Sequence, residues 1–279
     1  LFRPSIIRPS EGFEKLNNYG MFKYYLKVAI RNLTKNKSYV LINTLGMGIA
    51  LACCITAYLI VAFNLEFDYY LKDSDLSNTV KLIHYQERDN GLIDKNMVAP
   101  MVMPPIAAED ISGIESFTRY VGDNAYVSYQ NESFQEPISF ADESFFDIFN
   151  FKLVSGSTKN FKDQKSIFLS QQMADKYFPE GNAIGKLLVV EMRNKEYEVI
   201  VGGVLEKVPT NTSFSDQFLM RIEIFMDVYD MPIDGWGQWR DASVAFKLTD
   251  IGHKDEIASQ LDKYVKLRNT AKTDAKTLR

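Results

Sequence analysis

A chain of 279 residues, with 46% hydrophobic and 24% charged residues, has ordinary globular proportions and is long enough for one sizeable domain or two small ones. Its net charge of -4 is unevenly divided, because residues 1–65 carry eight Lys and Arg against two acidic residues and the remainder carries 24 against 34. The acidic remainder would repel a nucleic-acid backbone, so we expect no nucleic-acid partner. The only two cysteines, Cys53 and Cys54, are adjacent, so the rest of the chain must be stabilised by its core rather than by disulfides.

The first 20 residues have no usable periodicity and contain Pro4 and Pro9, so we predict a disordered extension over residues 1–20. Met21 stands directly before a periodic basic stretch. We expect Met21 to be the natural start, with the preceding residues an extension or a gene-model artefact.

Over residues 21–37, basic and apolar side chains recur with the spacing of an α-helix. Four cations recur every fourth residue and therefore lie on one face of a helix: Lys23, Lys27, Arg31 and Lys35. The opposite face is apolar: Phe22, Tyr25, Leu26, Ala29, Ile30 and Leu33. The pattern predicts an amphipathic helix at the cytosolic face of a membrane, with the four cations as its membrane-surface anchor. A basic flank that only sets the membrane topology is the alternative.

Residues 38–65 contain no charged side chain and are apolar almost throughout. At about 1.5 Å per residue, a helix over this segment is longer than the roughly 30 Å hydrocarbon layer of a bilayer. A signal peptide has an apolar region of only about 7–15 residues, nearer the N-terminus. Gly46 and Gly48 would weaken a helix in water but are tolerated in lipid. We therefore predict an uncleaved transmembrane helix rather than the buried helix of a soluble protein.

The charges on the two sides of this helix are asymmetric. Five cations and no acid lie in the basic stretch before it: Lys23, Lys27, Arg31, Lys35 and Lys37. Four acids and one cation follow it: Glu66, Asp68, Lys72, Asp73 and Asp75. The positive-inside rule then predicts a cytoplasmic N-terminus. The main domain is expected on the periplasmic, or extracytoplasmic, side of the cytoplasmic (inner) membrane.

Strand and helix patterns are interleaved over residues 66–267, and residues 268–279 are predicted to be a polar tail. Predicted strands cover residues 79–85, 124–129, 134–140, 165–169, 187–192, 196–201 and 244–248. One predicted helix begins after Pro105 and stops near Gly113. Three others cover residues 144–149, 171–178 (capped by Ser170) and 254–267. The predicted fold class is α+β, with one N-terminal transmembrane helix followed by a mixed α/β extracytoplasmic domain.

The sequence contains no recognisable catalytic constellation. Its only histidines, His84 and His253, are far apart and lack a cysteine partner, and neither GxSxG nor a P-loop occurs. We expect no catalytic residue, no metal and no cofactor, and therefore no enzyme. Gly202-Gly203 follows a strand without a phosphate-binding motif, and it predicts a bend or a close backbone approach.

Two further segments leave alternatives open. The acidic cluster of Asp142, Glu143 and Asp147 could hold a cation, although a helix cap on a solvated face is the favoured interpretation. The aromatic residues Trp236 and Trp239 indicate either a ligand surface or buried packing at a domain junction.

Four segments, in order along the chain, resemble permease subunits of the MacB/FtsX-like ABC transporter family, of the type found in Bacteroidota. They are AIRNLTKNKSYVLINTLGMGIALA (Ala29–Ala52), FADESFFDIFNFKLVSGS (Phe140–Ser157), SIFLSQQMADKYFPEGNAIGKLL (Ser166–Leu188) and YEVIVGGVLEKVPTNTSF (Tyr197–Phe214). The first is similar to the family's basic helix and first membrane helix, and the others to conserved stretches of its outer domain. The resemblance identifies residues 66–267 as a MacB-like periplasmic core domain.

The resemblance implies the N-terminal part of a permease subunit. Such permeases dimerise and recruit a cytosolic ABC ATPase subunit, whose ATP hydrolysis moves the outer domains to export or extract a substrate. The implied partners are this ATPase, a second permease protomer and the lipid membrane. Family members also carry three further membrane helices after the domain, so we expect this chain to be a fragment or a truncated product.

The sequence departs from the family directly after the membrane helix. The usual Glu-x-Ser-Tyr-Asp is replaced by Glu66-Phe67-Asp68-Tyr69-Tyr70, so these residues are assigned no role. A single-pass, membrane-anchored sensor or scaffold without transport activity is the alternative function. An anchored hydrolase is disfavoured because the nucleophile and metal constellations are missing.

Overall fold

The computed structural model describes residues 11–66, 68, 76–87, 93–207, 212–214, 217–231, 235–236 and 240–277. The chain divides into two compact units, Leu1–Leu65 and Glu66–Arg279.

The N-terminal unit consists of two helices, α1 (Glu11–Lys35) and α2 (Lys37–Leu65). The first helix begins earlier than predicted, so residues 11–20, which we expected to be disordered, are helical; residues 1–10 lie outside the described residues. The chain bends at Asn36, where helical hydrogen bonds continue on both sides, from Asn36 N to the Asn32 carbonyl (3.1 Å) and from Val40 N to the Asn36 carbonyl (3.0 Å). The bend at Asn36 therefore separates α1, which ends at Lys35, from α2, which begins at Lys37.

The second unit mixes strands and helices, as the α+β prediction requires. Its strands are β1 (Thr79–Lys81), β2 (His84–Glu87), β3 (Ile93–Asn96), β4 (Ala99–Pro100), β5 (Ile114–Tyr129), β6 (Glu132–Ala141), β7 (Leu153–Gly156), β8 (Ser166–Ser170), β9 (Leu187–Met192), β10 (Lys195–Leu205), β11 (Phe218–Arg221) and β12 (Asp241–Leu248). Its helices are α3 (Met103–Asp110), α4 (Phe145–Ile148), α5 (Gln171–Tyr177), α6 (Ile222–Val228) and α7 (Lys254–Thr277), with short 3-10 helices at Thr158–Lys162 and Ile251–His253.

Ten of these strands form one sheet, in the order β1-β12-β5-β6-β11-β8-β10-β7, with β4 beside β12 and β9 beside both β10 and β5. Only the pairs β6–β11 and β8–β10 are parallel among the described strands. Because β9 pairs with both β5 and β10, the strands β5, β6, β11, β8, β10 and β9 close into a ring. We call these six strands the strand ring. The remaining strands, β2 and β3, pair with each other in a separate antiparallel two-stranded sheet.

The largest apolar cluster draws side chains from all six strands of the ring and from α5 and α6. Alternate residues of one strand enter it, as in Leu188, Val190 and Met192 of β9, because successive side chains of a strand point to opposite faces. Strands β8 and β11 are buried on both faces. Their opposite faces carry Phe168 and Leu219 into a second cluster. A third cluster lies between β12, α3 and α7.

Several predicted elements are confirmed. The two predicted hairpins exist as the pairs β5–β6 and β9–β10. Ser170 caps α5, since its side chain accepts a hydrogen bond from Met173 N at 3.2 Å. The predicted short helix over residues 144–149 is α4.

Other predictions differ from the structure. The strand predicted over residues 79–85 is split between β1 and β2, which belong to different sheets. The helix expected after Pro105 starts at Met103, because proline is compatible with the first turn of a helix, where no hydrogen bond to its nitrogen is required. The last helix, expected to end at residue 267, continues to Thr277, so most of the predicted polar tail is helical.

The close backbone approach predicted at Gly202-Gly203 is confirmed. A Cβ atom on Gly203 would lie 2.3 Å from the Phe168 ring, and one on Gly202 would lie 2.1 Å from Ser166 Oγ. The register between β8 and β10 also shifts at this point. Because neither glycine has a Cβ atom, β10 can lie close to the Ser166 and Phe168 side chains of β8.

Candidate functional site

Helix α2 is long and apolar enough to cross a membrane, with 29 residues and a mean hydropathy of 2.2 in its most apolar window. At about 1.5 Å per residue it is about 43 Å long, against a hydrocarbon layer of about 30 Å. None of its residues is buried within the structure. Two of its polar side chains bond to the helix itself, Thr56 to the Ala52 carbonyl (2.8 Å) and Asn64 to the Ile60 carbonyl (2.7 Å). In a membrane, this internal pairing would satisfy these two donors without water.

The four predicted anchor residues all lie on α1 and are exposed: Lys23, Lys27, Arg31 and Lys35. None of the four forms an ion pair with any side chain that the structure describes. The apolar side chains between them are exposed too, Phe22 at 67% and Tyr25 at 64%. The structure contains no membrane, so the anchor role of the four cations stays a prediction.

The two faces of α1 are less cleanly separated than the spacing of the cations suggests. At about 100° per residue, Tyr24 falls between Arg31 and Lys35, and Val28 falls directly beside Lys35. Both are exposed, Tyr24 at 67% and Val28 at 41%. Helix α1 therefore has a wide apolar face and a narrower, interrupted basic face.

Glu143 and Asp147 are exposed, as the favoured interpretation of the acidic cluster requires, but Asp142 is not. Asp142 is only 7% exposed, and both its oxygens accept hydrogen bonds from the Arg119 guanidinium, at 2.6 Å from Nη2 and 2.9 Å from Nε. The register of β5 and β6, which pairs Tyr120 with Ala141, brings these two residues together. Arg119 also donates to the Met101 carbonyl at 2.8 Å. The pair is a buried structural ion pair.

Within the part of the chain that the structure describes, the remaining predicted candidates do not form a chemical site. Within the described residues, no group of three or more His, Cys, Asp and Glu side chains is placed to hold a metal ion. His253 is exposed, and the side chain of His84 lies outside the described residues. Trp236 is half-buried and stacks on Tyr264 with 5.6 Å between ring centroids, which favours packing over a ligand surface. Trp239 lies outside the described residues.

A cavity of about 250 Å³ lies between β7, α5 and the segment that follows α5. Its walls include Val154, Ala174, Phe178 and Ile184. Among its polar side chains, Gln171 donates a hydrogen bond to the Asp175 carboxylate at 2.7 Å. The lining is mostly apolar, and the cavity is open to solvent.

A more specific arrangement involves Asp68, for which no role was predicted. Its carboxylate accepts hydrogen bonds from the backbone N of Ser213 (2.7 Å) and from the Ser213 hydroxyl, and it forms an ion pair with Lys81 (3.3 Å). Burial by itself raises the pKa of Asp68, but the Ser213 hydrogen bonds and the Lys81 charge outweigh it and bring the pKa below its ordinary value. No local pattern could have revealed this contact, because Asp68 and Ser213 are 145 positions apart.

Comparisons with known proteins identify the outer domain. The sequence profile of the family described as the MacB-like periplasmic core domain matches residues 40–264. No curated protein sequence matches this chain. The solved structure of a domain of a permease protein from Porphyromonas gingivalis is similar, with 20% identity and a TM-score of 0.53, covering 67% of this chain and 81% of that one. This likeness confirms the fold of the outer domain.

Two further solved structures are more distant. The periplasmic region of MacB from Actinobacillus actinomycetemcomitans is 15% identical with a TM-score of 0.48, covering 74% of this chain and 96% of that one. The extracellular domain of the noncanonical ABC-type transporter YknZ from Gram-positive bacteria is 13% identical with a TM-score of 0.46, covering 64% and 88%.

Proposed function

Because this chain belongs to the MacB-like periplasmic core domain family, we propose that it is a permease subunit of an ABC transporter without catalytic activity of its own. In this proposal a separate cytosolic ATPase hydrolyses ATP, and the resulting movement of the membrane helices displaces the outer domain. That displacement exports or extracts a substrate.

The observation that carries the proposal is the position of the family match along the chain. The match begins at residue 40, inside α2, and runs through the outer domain to residue 264. The helix that is apolar enough to cross a membrane and the extracytoplasmic domain thus belong to one family unit. A membrane-anchored extracytoplasmic domain of this family is a part of transporter permeases.

The charges around α2 support a cytoplasmic N-terminus for the proposed subunit. Cations precede the helix and acids follow it, which is the asymmetry that retains an N-terminal flank in the cytoplasm. The exposed basic residues of α1 would then lie at the inner leaflet, whose anionic lipids attract Lys and Arg by about 1 kcal/mol each. The exposed apolar face of α1 would enter the headgroup region.

The proposal requires other membrane helices and other chains. One helix encloses no pathway, so a transport path needs helices from a second permease protomer or from elsewhere in the permease. The power source is a cytosolic ABC ATPase that binds the permease from the cytoplasmic side.

The first test is purification of the chain from its native membranes in mild detergent, followed by mass spectrometry and an ATP hydrolysis assay. We expect a P-loop ATPase to co-purify, and vanadate to inhibit the associated ATP hydrolysis. A membrane-inserted chain that reproducibly purifies without any ATPase would contradict the transporter proposal and favour the membrane-anchored sensor or scaffold.

The orientation is tested by labelling single cysteines with a membrane-impermeant maleimide, after Cys53 and Cys54 are changed to serine. We expect Ser259→Cys to be labelled on the outer side of sealed spheroplasts, and Lys35→Cys only after the membrane is permeabilised. Changing the four anchor cations to alanine should increase the inverted fraction. The charge-preserving set Lys23→Arg, Lys27→Arg, Arg31→Lys and Lys35→Arg is the matched control; unchanged orientation and transport in the alanine set would contradict the anchor role.

A further inference from the structure

The cavity beside β7 lies at an open edge of the ten-stranded sheet. Strand β7 is the last strand in the sheet order, and among the described residues its backbone hydrogen bonds run to β10 alone. A strand in this position presents unpaired N–H and C=O groups along its outer edge. Three of its four residues, Val154, Ser155 and Gly156, are exposed. The edge is therefore accessible to a further strand.

A bulge in β7 brings two consecutive side chains to the cavity. Ser155 of β7 pairs with Val204 of β10. The next pair is Leu153 with Leu205, so the register shifts and Val154 is left between the two pairs as an extra residue. Val154, which is 57% exposed, and Ser155 both line the cavity, although successive side chains of a regular strand point to opposite faces. The irregular edge of β7 and the cavity therefore form one continuous surface.

The inner wall of the cavity belongs to the core of the domain. Ala174 and Phe178 of α5 and Val204 of β10 are part of the largest apolar cluster and are between 3% and 6% exposed. The wall formed by the segment after α5 contains two consecutive residues with positive φ, Gly181 at 82° and Asn182 at 60°. The volume of about 250 Å³ is below the roughly 300–1,000 Å³ of pockets that enclose a drug-sized molecule. The cavity is therefore suited to an apolar side chain.

One charged group lines the cavity. The Asp175 carboxylate is exposed and accepts a hydrogen bond from Gln171 through one oxygen, Oδ1. Within the described part of the chain, Asp175 forms no ion pair. A cation of a bound ligand would pair with Asp175 without displacing a cation of this chain. The charge at the cavity therefore complements a basic ligand rather than an acidic one.

We propose that β7 and the cavity form a docking site for an extended segment of another polypeptide chain. The segment would add to the sheet beside β7, place one apolar side chain in the cavity and pair a Lys or Arg with Asp175. Backbone hydrogen bonds to β7 would supply affinity, and the cavity and Asp175 would select the side chains. The open edge beside the cavity favours a peptide over a small apolar molecule, which has no use for backbone donors and acceptors. This site goes beyond the proposed transport function and does not depend on it.

The test is a selection of phage-displayed random linear peptides on the full chain in lipid nanodiscs, after depletion of the library on empty nanodiscs. We expect the enriched peptides to share an aliphatic or aromatic residue close to a Lys or Arg. A synthetic peptide with the consensus sequence is then titrated by fluorescence anisotropy. Val154→Asp, which places a charge at the cavity, and Asp175→Lys, which reverses the charge there, should each weaken binding by about tenfold or more.

Two matched variants carry the same substitutions at exposed positions of α7. Val265→Asp changes a valine that is 49% exposed, and Asp262→Lys changes an exposed aspartate. Both should bind the peptide as the parent protein does. Equal weakening in these controls would show that the peptide responds to the overall charge of the domain, and it would overturn the proposed site.

Strand addition is tested by peptides that carry one backbone N-methyl group at successive positions. In an extended peptide the N–H groups of alternate residues face the neighbouring strand. Methylation should therefore abolish binding at every second position and be tolerated at the positions between.

Three results would overturn the proposal: no enrichment over empty nanodiscs, binding that Val154→Asp and Asp175→Lys leave unchanged, or binding that tolerates N-methylation at every position. The last result would identify a ligand that uses the cavity without the edge of β7. Since neither an ATPase nor transport takes part in these measurements, their outcome is independent of whether the transporter proposal holds.

Discussion

Helix α2 and the strand ring are built from the same kinds of apolar side chain but place them in opposite surroundings. Leu51 of α2 is 63% exposed, whereas Leu169 of β8 is fully buried. In a bilayer the exposed leucines of α2 are solvated by lipid, so no second layer of protein is needed to cover them. In the ring, six strands must pair and close before the same side chains leave water. The hydrophobicity of a side chain therefore does not by itself predict its burial. The length of the apolar segment and the solvent around it, lipid or water, decide whether other parts of the protein cover it.

The largest expected effect is on the free energy of unfolding of the outer domain. It distinguishes truncation of a buried aromatic side chain in this domain from truncation of an exposed leucine in α2. Phe145 is 2% exposed and contacts the rings of Tyr120, Phe149 and Phe214. Phe145→Ala should lower the free energy of unfolding of the outer domain by about 3–5 kcal/mol. Leu51→Ala should leave it unchanged. Urea unfolding of both variants in detergent, followed by tryptophan fluorescence, checks the contrast; similar losses in both would refute it.

A charge in α2 should affect insertion rather than folding of the outer domain. Leu51→Arg places a cation near the middle of the apolar segment, which disfavours membrane insertion by about 2.5–3.5 kcal/mol. The inserted fraction after alkaline extraction of membranes should fall. Tyr126→Arg, at a side chain 51% exposed on the outer domain, is the control and should insert normally. Full insertion of Leu51→Arg would argue against a membrane-spanning α2.

A smaller loss of unfolding free energy is expected at Gly203, where β10 lies close to the Phe168 ring of β8. In Gly203→Ala the new methyl group would meet the Phe168 ring, so overpacking should lower the free energy of unfolding by about 1–3 kcal/mol. Gly122→Ala is the matched control in β5, where the nearest atom to a Cβ is the Ile138 carbonyl oxygen at 3.9 Å. Chemical unfolding that ranks the two variants equally would show that the approach is not tight.

The smallest effect is the pH dependence of the contacts that Asp68 makes with Ser213 and Lys81. Because the pKa of Asp68 is lower in the folded chain than its ordinary value, ionised Asp68 stabilises the fold at pH values above about 4. This contribution is lost as the pH falls through the lowered, folded-state pKa. The difference in melting temperature between the parent protein and Asp68→Asn should therefore shrink in acid. Ser213→Ala, which lacks the hydroxyl donor, should reduce the same pH-dependent difference.

Elements with strong local signals were predicted from the sequence. The hairpins β5–β6 and β9–β10 show alternating residues around a polar turn, and α5 has a serine cap followed by a helical segment. The family resemblance, based on four ordered segments, is confirmed by the profile match. These features depend on neighbours in sequence, which is why one sequence is enough to predict them.

Features that depend on distant residues were not predicted. Strand β11 is only four residues long and runs directly into α6, so its apolar run has no period that separates strand from helix. Asp142 was misjudged because its partner Arg119 lies on another strand and is brought close only by the sheet register. Asp68 was missed for the same reason. The anchor role of Lys23, Lys27, Arg31 and Lys35 stays a prediction.

The place of β11 in the strand ring has a consequence for the order of events during synthesis. This strand lies between β6 and β8, although the chain makes β8, β9 and β10 before it. Until Arg221 has left the ribosome, β6 and β8 must each keep an unpaired edge, and unpaired edges are sites of aggregation. A translocating chain would therefore need protection by a chaperone until Phe218–Arg221 has emerged, after which these four residues complete the ring.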